Sequence, residues 1–138
     1  MLGKTIKDLH VGDQAYFQKT ITDADVLLFA GVSGDFNPIH INEIAAKESI
    51  FKKRVVHGGL VNALFSTVIG TELPGHGTIY MRQDSKFVKP VFIGDTIKAV
   101  AEVSEIIKEK NRVVITTTAY NQNDEVVVVG SALVMPRR

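Results

Sequence analysis

The chain is expected to fold as α+β, with one curved antiparallel sheet wrapped around a single apolar helix. Three observations point there. His57 to Thr71 is an uncharged run of helical length that begins at a Gly pair and then carries apolar residues almost all the way round. A helix of that kind needs structure around it rather than a core on one side. After it come four long stretches, Gly77 to Val88, Asp95 to Lys108, Arg112 to Asn121 and Glu125 to Val134, with β-branched runs such as VVVV and ITTT. Turn chemistry separates them, so helix first and strands after suggest a sheet closing on the helix.

The elements follow in order. Leu9 to Gly12 reads as a turn, and in GDQAYFQKTIT the positions Ala15, Phe17 and Lys19 alternate with Tyr16, Gln18 and Thr20, as in a half-buried strand. Thr22 before Asp23 and Asp25 is a helix start: a side-chain oxygen for the free amides, then acids near the positive end of the dipole. That helix, Asp23 to Val32, stops at Ser33-Gly34. Pro38 biases Asn37 away from helical angles, which makes Asp35 to His40 a shaped loop. Asn42 caps a short helix, Glu43 to Ser49, and Lys52, Lys53 and Arg54 read as a solvated basic face. Lys108 to Asn111 and Asn121 to Asp124 are hairpin turns, Val88 to Asp95 is a longer bend, and the four late strands read as a meander.

Bulk properties narrow the function. At 138 residues the chain is expected to be one domain, residues 1–138, burying roughly two-thirds of its unfolded surface. Lys+Arg 16 against Asp+Glu 15 leaves a net charge of +1, which gives no nucleic-acid footprint. The absence of Cys excludes disulfides, thiolate metal sites and a cysteine nucleophile, and fits a reducing cytoplasm. No apolar core follows the first lysines, so no signal peptide is expected, and the longest uncharged run is shorter than the roughly 20 residues of a membrane span.

The candidate chemistry lies between Gly34 and Phe65. Asp35 and His40 share one loop, near enough in sequence to act on one water, the acid orienting it and an imidazole of ordinary pKa about 6.5 moving a proton. Either residue alone reads equally as a turn cap or a satisfied polar group. Asn37 can hydrogen-bond a substrate or brace the turn. The amides of Gly58 and Gly59 stand at a helix start, where partial positive charge and open approach suit an oxyanion, though the same glycines also serve a tight turn. His57 is a third candidate, as a catalytic group or a metal ligand, but no tight ligand spacing accompanies it, so no metal is expected. Ser66 lacks a nucleophile-elbow setting and reads as a supporting hydroxyl.

Taken together, SGDFNPIHIN, then VVHGGLVNALFS, then the segment LPGHGTIYMRQDSKFVKPVFIGDTIKAVAEV resemble the MaoC-like family, specifically its single-domain (R)-specific 2-enoyl-CoA hydratases. The resemblance covers most of the chain from about Thr22. It implies a hot-dog fold, a homodimer joined at sheet edges, and an acyl-CoA thioester as substrate, with acyl carrier protein as another carrier. It further implies Asp35 and His40 as the catalytic pair, Gly58 as the amide holding the thioester oxygen, Ser66 in support, and no cofactor. A 3-hydroxyacyl-carrier-protein dehydratase, an acyl-CoA thioesterase and a non-catalytic acyl-thioester binding domain stand as alternatives.

Overall fold

The computed structural model describes residues 1–138. Five strands form one antiparallel sheet: β1 (Gln14–Thr20), β2 (Ile79–Phe87), β3 (Thr96–Ile107), β4 (Arg112–Tyr120) and β5 (Val126–Met135). Four helices precede most of it: α1 (Asp23–Ser33), the single turn α2 (Pro38–Ile41), α3 (Glu43–Glu48) and α4 (Gly58–Thr71). No helix is long and apolar enough to cross a membrane. The expected α+β arrangement is present, with α4 lying across β1, β2 and β3.

Strand order corrects one expectation. β3, β4 and β5 pair in sequence, but β2 does not pair with β3; it sits at the far edge against β5, giving the order β1-β3-β4-β5-β2. The late strands are therefore not one meander. The reason lies in the Val88 to Asp95 link, which is too long and too rich in Pro and Gly for a hairpin and instead crosses the end of α4, where Val56 N–H donates to Val91 C=O at 2.7 Å. Shifts of register at Tyr80/Arg82, Val103/Glu105 and Ala119/Tyr120 add local twist and bend the sheet around the helix.

Residues at the periodic positions of α4 explain its place. Val61, Leu64, Phe65, Val68 and Ile69 are at most 5% exposed and meet Ile97, Ala99, Ala101, Val113 and Ile115 in one apolar core. Truncating a fully buried Phe such as Phe65 to Ala costs about 3–5 kcal/mol. The wrapping is one-sided, however: Gly59, Ala63 and Ser66 on the opposite face remain exposed. Those residues are small, so hydropathy alone makes the helix look more enclosed than it is.

A polar seam crosses this core. Ser85 Oγ donates to Asn62 Oδ1 on α4 at 2.7 Å, and Gln83 Nε2 donates to Ser85 Oγ at 2.8 Å and to the buried Thr117 Oγ1 at 3.0 Å. Tyr80 O–H donates to Gln83 Oε1, and burial pushes the Tyr80 phenol up to about 12. Sharing donors and acceptors in this way offsets the cost of burying them.

Candidate active site

The site is built where α1 ends. Thr22 caps α1 through its hydroxyl, accepting Asp25 N–H at 3.1 Å, while the Asp25 carboxylate accepts Thr22 N–H at 2.9 Å. At the other end Gly34 takes φ 79°, the left-handed angle that glycine adopts without strain, and turns the chain away from the helix. Asp35 N–H then donates to Ser33 Oγ at 3.1 Å, whose hydroxyl donates back to Phe29 C=O at 2.7 Å. The Asp35 carboxylate accepts Asn37 N–H at 3.2 Å, which leaves it exposed and aimed by its own turn.

His40 lies on a helical turn rather than on the irregular loop expected from Pro38. Proline suits the first helical position, and Asn37 Oδ1 caps the turn by accepting Ile39 N–H at 3.3 Å. Asn37 thus braces the site. The turn fixes the imidazole: Nδ1 lies 2.7 Å from Val55 C=O, a group that only accepts, so Nδ1 carries hydrogen and Nε2 of the neutral ring is free to take a proton. Val55 N–H in turn donates to Ile39 C=O at 3.2 Å.

Arg54 does not belong to a solvated basic face. Its side chain is only 10% exposed; Nε donates to His40 C=O at 2.7 Å, and the guanidinium pairs with Asp23 at 2.6 Å and Glu43 at 3.3 Å. The Asp23 partner is the chief reason its ionisation is pushed up. Lys53 differs again, standing 4.0 Å over the Phe92 ring. A three-residue basic run gives no sign in sequence that its last member reaches back to α1 and α3.

His57 completes the group. It is 1% exposed, stacks on His40 with ring centroids 3.8 Å apart, and meets Phe29 at 4.9 Å. Its Nε2 lies 3.0 Å from Asp35 C=O and so donates to it. Nδ1 is buried with no partner, so the Nε2–H donated to Asp35 is the ring's one hydrogen bond. One carboxylate oxygen of Asp35 and one ring nitrogen from each histidine lie within 4.8 Å of one another.

Gly58 opens α4. The helix has no side-chain cap, and Leu60 and Val61 N–H both turn back to His57 C=O, which leaves the Gly58 and Gly59 amides without backbone acceptors. A methyl placed on Gly58 would come 2.9 Å from the Phe87 ring, so glycine is what fits between them. Beside it lies a cavity of about 340 Å³, lined by Ile39, His40, Val55, Gly58, Phe87 and Val91 among others, mostly apolar. His40 and the free end of α4 therefore stand together at an apolar pocket. Asp35 is held beside His40 without itself lining the cavity, and Ser66 lies further along α4 on the exposed face, also outside the cavity lining.

Comparison with known proteins agrees with this arrangement. Residues 10–126 match the MaoC like domain. An (R)-specific enoyl-CoA hydratase of Rhodospirillum rubrum is 44% identical over 94% of this chain and 89% of its own. In structure, the R-hydratase PhaJ1 of Pseudomonas aeruginosa superposes with a TM-score of 0.93 at 42% identity, over 99% of this chain and 87% of that one. The (R)-hydratase of Aeromonas caviae involved in PHA biosynthesis gives 0.91 at 38% identity, over 94% and 98%. The fold is the hot-dog fold of these hydratases.

Proposed function

This chain belongs to the MaoC-like family, and on that premise we propose that it is an (R)-specific enoyl-CoA hydratase, adding water reversibly to a trans-2-enoyl-CoA to give the (R)-3-hydroxyacyl-CoA. The observation that carries the mechanism is the commitment of His40 Nδ1 to Val55 C=O, which leaves Nε2 as the proton acceptor beside Asp35 and the mouth of the apolar cavity.

The β-carbon of an enoyl thioester accepts water only when negative charge can move onto the thioester oxygen. The Gly58 amide receives that charge, aided by the partial positive end of α4. His40 Nε2 and the Asp35 carboxylate hold one water between them and remove its proton as the oxygen attacks. A proton then passes from the pair to the α-carbon, so the pair ends as it began. Because Asp35 stands beside His40, and His40 lines the pocket, the water they hold arrives at one face of the double bond, which fixes the product's hand. Asn37 orders the turn that aims Asp35.

The reading includes one domain over residues 1–138 at work in the cytoplasm as a homodimer. Strand β2 ends the sheet with an unpaired edge that a second copy can extend. The test is direct. With crotonyl-CoA, the enoyl absorbance is expected to fall with no release of free CoA thiol; stoichiometric thiol release would identify a thioesterase, and ligand binding with no turnover a non-catalytic domain.

A further inference from the structure

Beyond the catalytic pair, we infer that His57 is a positioning residue for the hydration, holding the Asp35 turn by its Nε2–H and supporting the His40 ring by its face. This rests on the hydratase reading for its consequence in turnover, but not for its geometry.

The mechanism above gives His57 no proton to move. It is nonetheless the most deeply buried polar ring in the molecule, at 1% exposure, and its side chain touches both members of the pair. Asp35 follows a left-handed glycine and is exposed, so its turn has little packing to fix it. Two hydrogen bonds to its backbone make up for that: its N–H reaches Ser33 Oγ at 3.1 Å, and its C=O receives His57 Nε2–H at 3.0 Å. His40 is pinned at Nδ1 by Val55 and at its own C=O by Arg54, but those bonds leave the ring plane free to tilt about χ angles. The His57 ring, wedged between His40 and Phe29 with centroid separations of 3.8 Å and 4.9 Å, closes that freedom. Since His57 is also the residue before α4, one side chain ties the catalytic turn to the start of the helix that offers the Gly58 amide. A shift of the order of 1 Å between such groups costs about a hundredfold in rate.

The two contacts can be separated by substitution. Gln at position 57 retains an N–H donor of similar reach without the ring face, and Phe retains the ring without the donor. For His57→Phe the expected result is a kcat at least tenfold below wild type with KM within threefold, and an unfolding midpoint close to wild type. His57→Gln is expected to recover at least a third of the lost kcat. Equal kcat in His57→Phe and wild type, a loss carried in KM alone, or no recovery in His57→Gln would each overturn the role. A second measurement does not depend on substrate: nitrogen-15 NMR of the wild-type imidazoles at neutral pH should find His57 protonated at Nε2 alone. Protonation at Nδ1 alone would remove the bond to Asp35 and the inference with it. Should wild type fail to hydrate crotonyl-CoA, the hydratase reading falls, and the NMR result still decides whether His57 holds the turn.

Discussion

In β4 and β5 the inward side chains Val113, Ile115, Ala119, Val127, Val128, Ala132 and Val134 are 2% exposed or less, and they meet one another and α4 with little but apolar surface. Between Ser33 and His57 the chain is shaped instead by side chains bonding to backbone: Ser33 to Phe29, His40 to Val55, Arg54 to His40 and His57 to Asp35. The first region gains its stability from area removed from water, a term without direction. The second gains little area but fixes angles, because each hydrogen bond has a preferred line. The difference teaches where to look for each property. Stability should be most sensitive in the sheet, and turnover most sensitive in the capping segment.

Substitutions can break this division or sharpen it. The largest effect is expected at the pair itself: Asp35→Asn or His40→Ala should lower kcat by about 10²–10⁴-fold, the usual worth of a general acid or base, with an unchanged unfolding midpoint. Next, Phe65→Ala should cost about 3–5 kcal/mol in denaturant unfolding while the folded enzyme keeps kcat within a few fold. If that core change cut turnover as deeply as a change at the pair, the two regions would not be separable. Arg54→Met should fall between them, losing about 1.5–3 kcal/mol with its bonds to charged and carbonyl partners, together with about tenfold in kcat as the His40 turn loosens.

The smallest effect belongs to the start of α1. Thr22→Ala should cost about 1 kcal/mol and leave kcat alone. The same cap carries a pH signature. A hydrogen bond from Lys19, then that from Thr22 N–H, holds the Asp25 carboxyl below its ordinary value, so its folded form binds a proton less readily than its unfolded form. Its contribution is full above the ordinary carboxylate pKa of about 4 and fades as the pH falls further. Urea midpoints of wild type and Asp25→Asn should therefore converge in acid and differ at neutral pH.

How much of this was legible in the sequence follows the same line. The β-branched runs located β4 and β5 because a sheet's inner face is written locally, every second residue. The Thr22 cap and the Gly pair located both ends of the chemistry for the same reason: each acts within a few positions of itself. The place of β2 was not legible, since alternation marks a strand without naming its neighbour. Nor was Arg54, whose partners Asp23 and Glu43 stand on other helices. The His40–His57 stack likewise requires a fold to bring two distant side chains face to face. Motif resemblance pointed to Asp35, His40 and Gly58, while the atoms that aim them became readable only in three dimensions.

Asp35 and His40 together activate one water and deliver it from a single side of the substrate. Chiral analysis of the alcohol formed from crotonyl-CoA tests it most directly. The expected product is the (R)-3-hydroxybutyryl thioester with little of its mirror image; a racemic or predominantly (S) product would rule out a single activated water at this site.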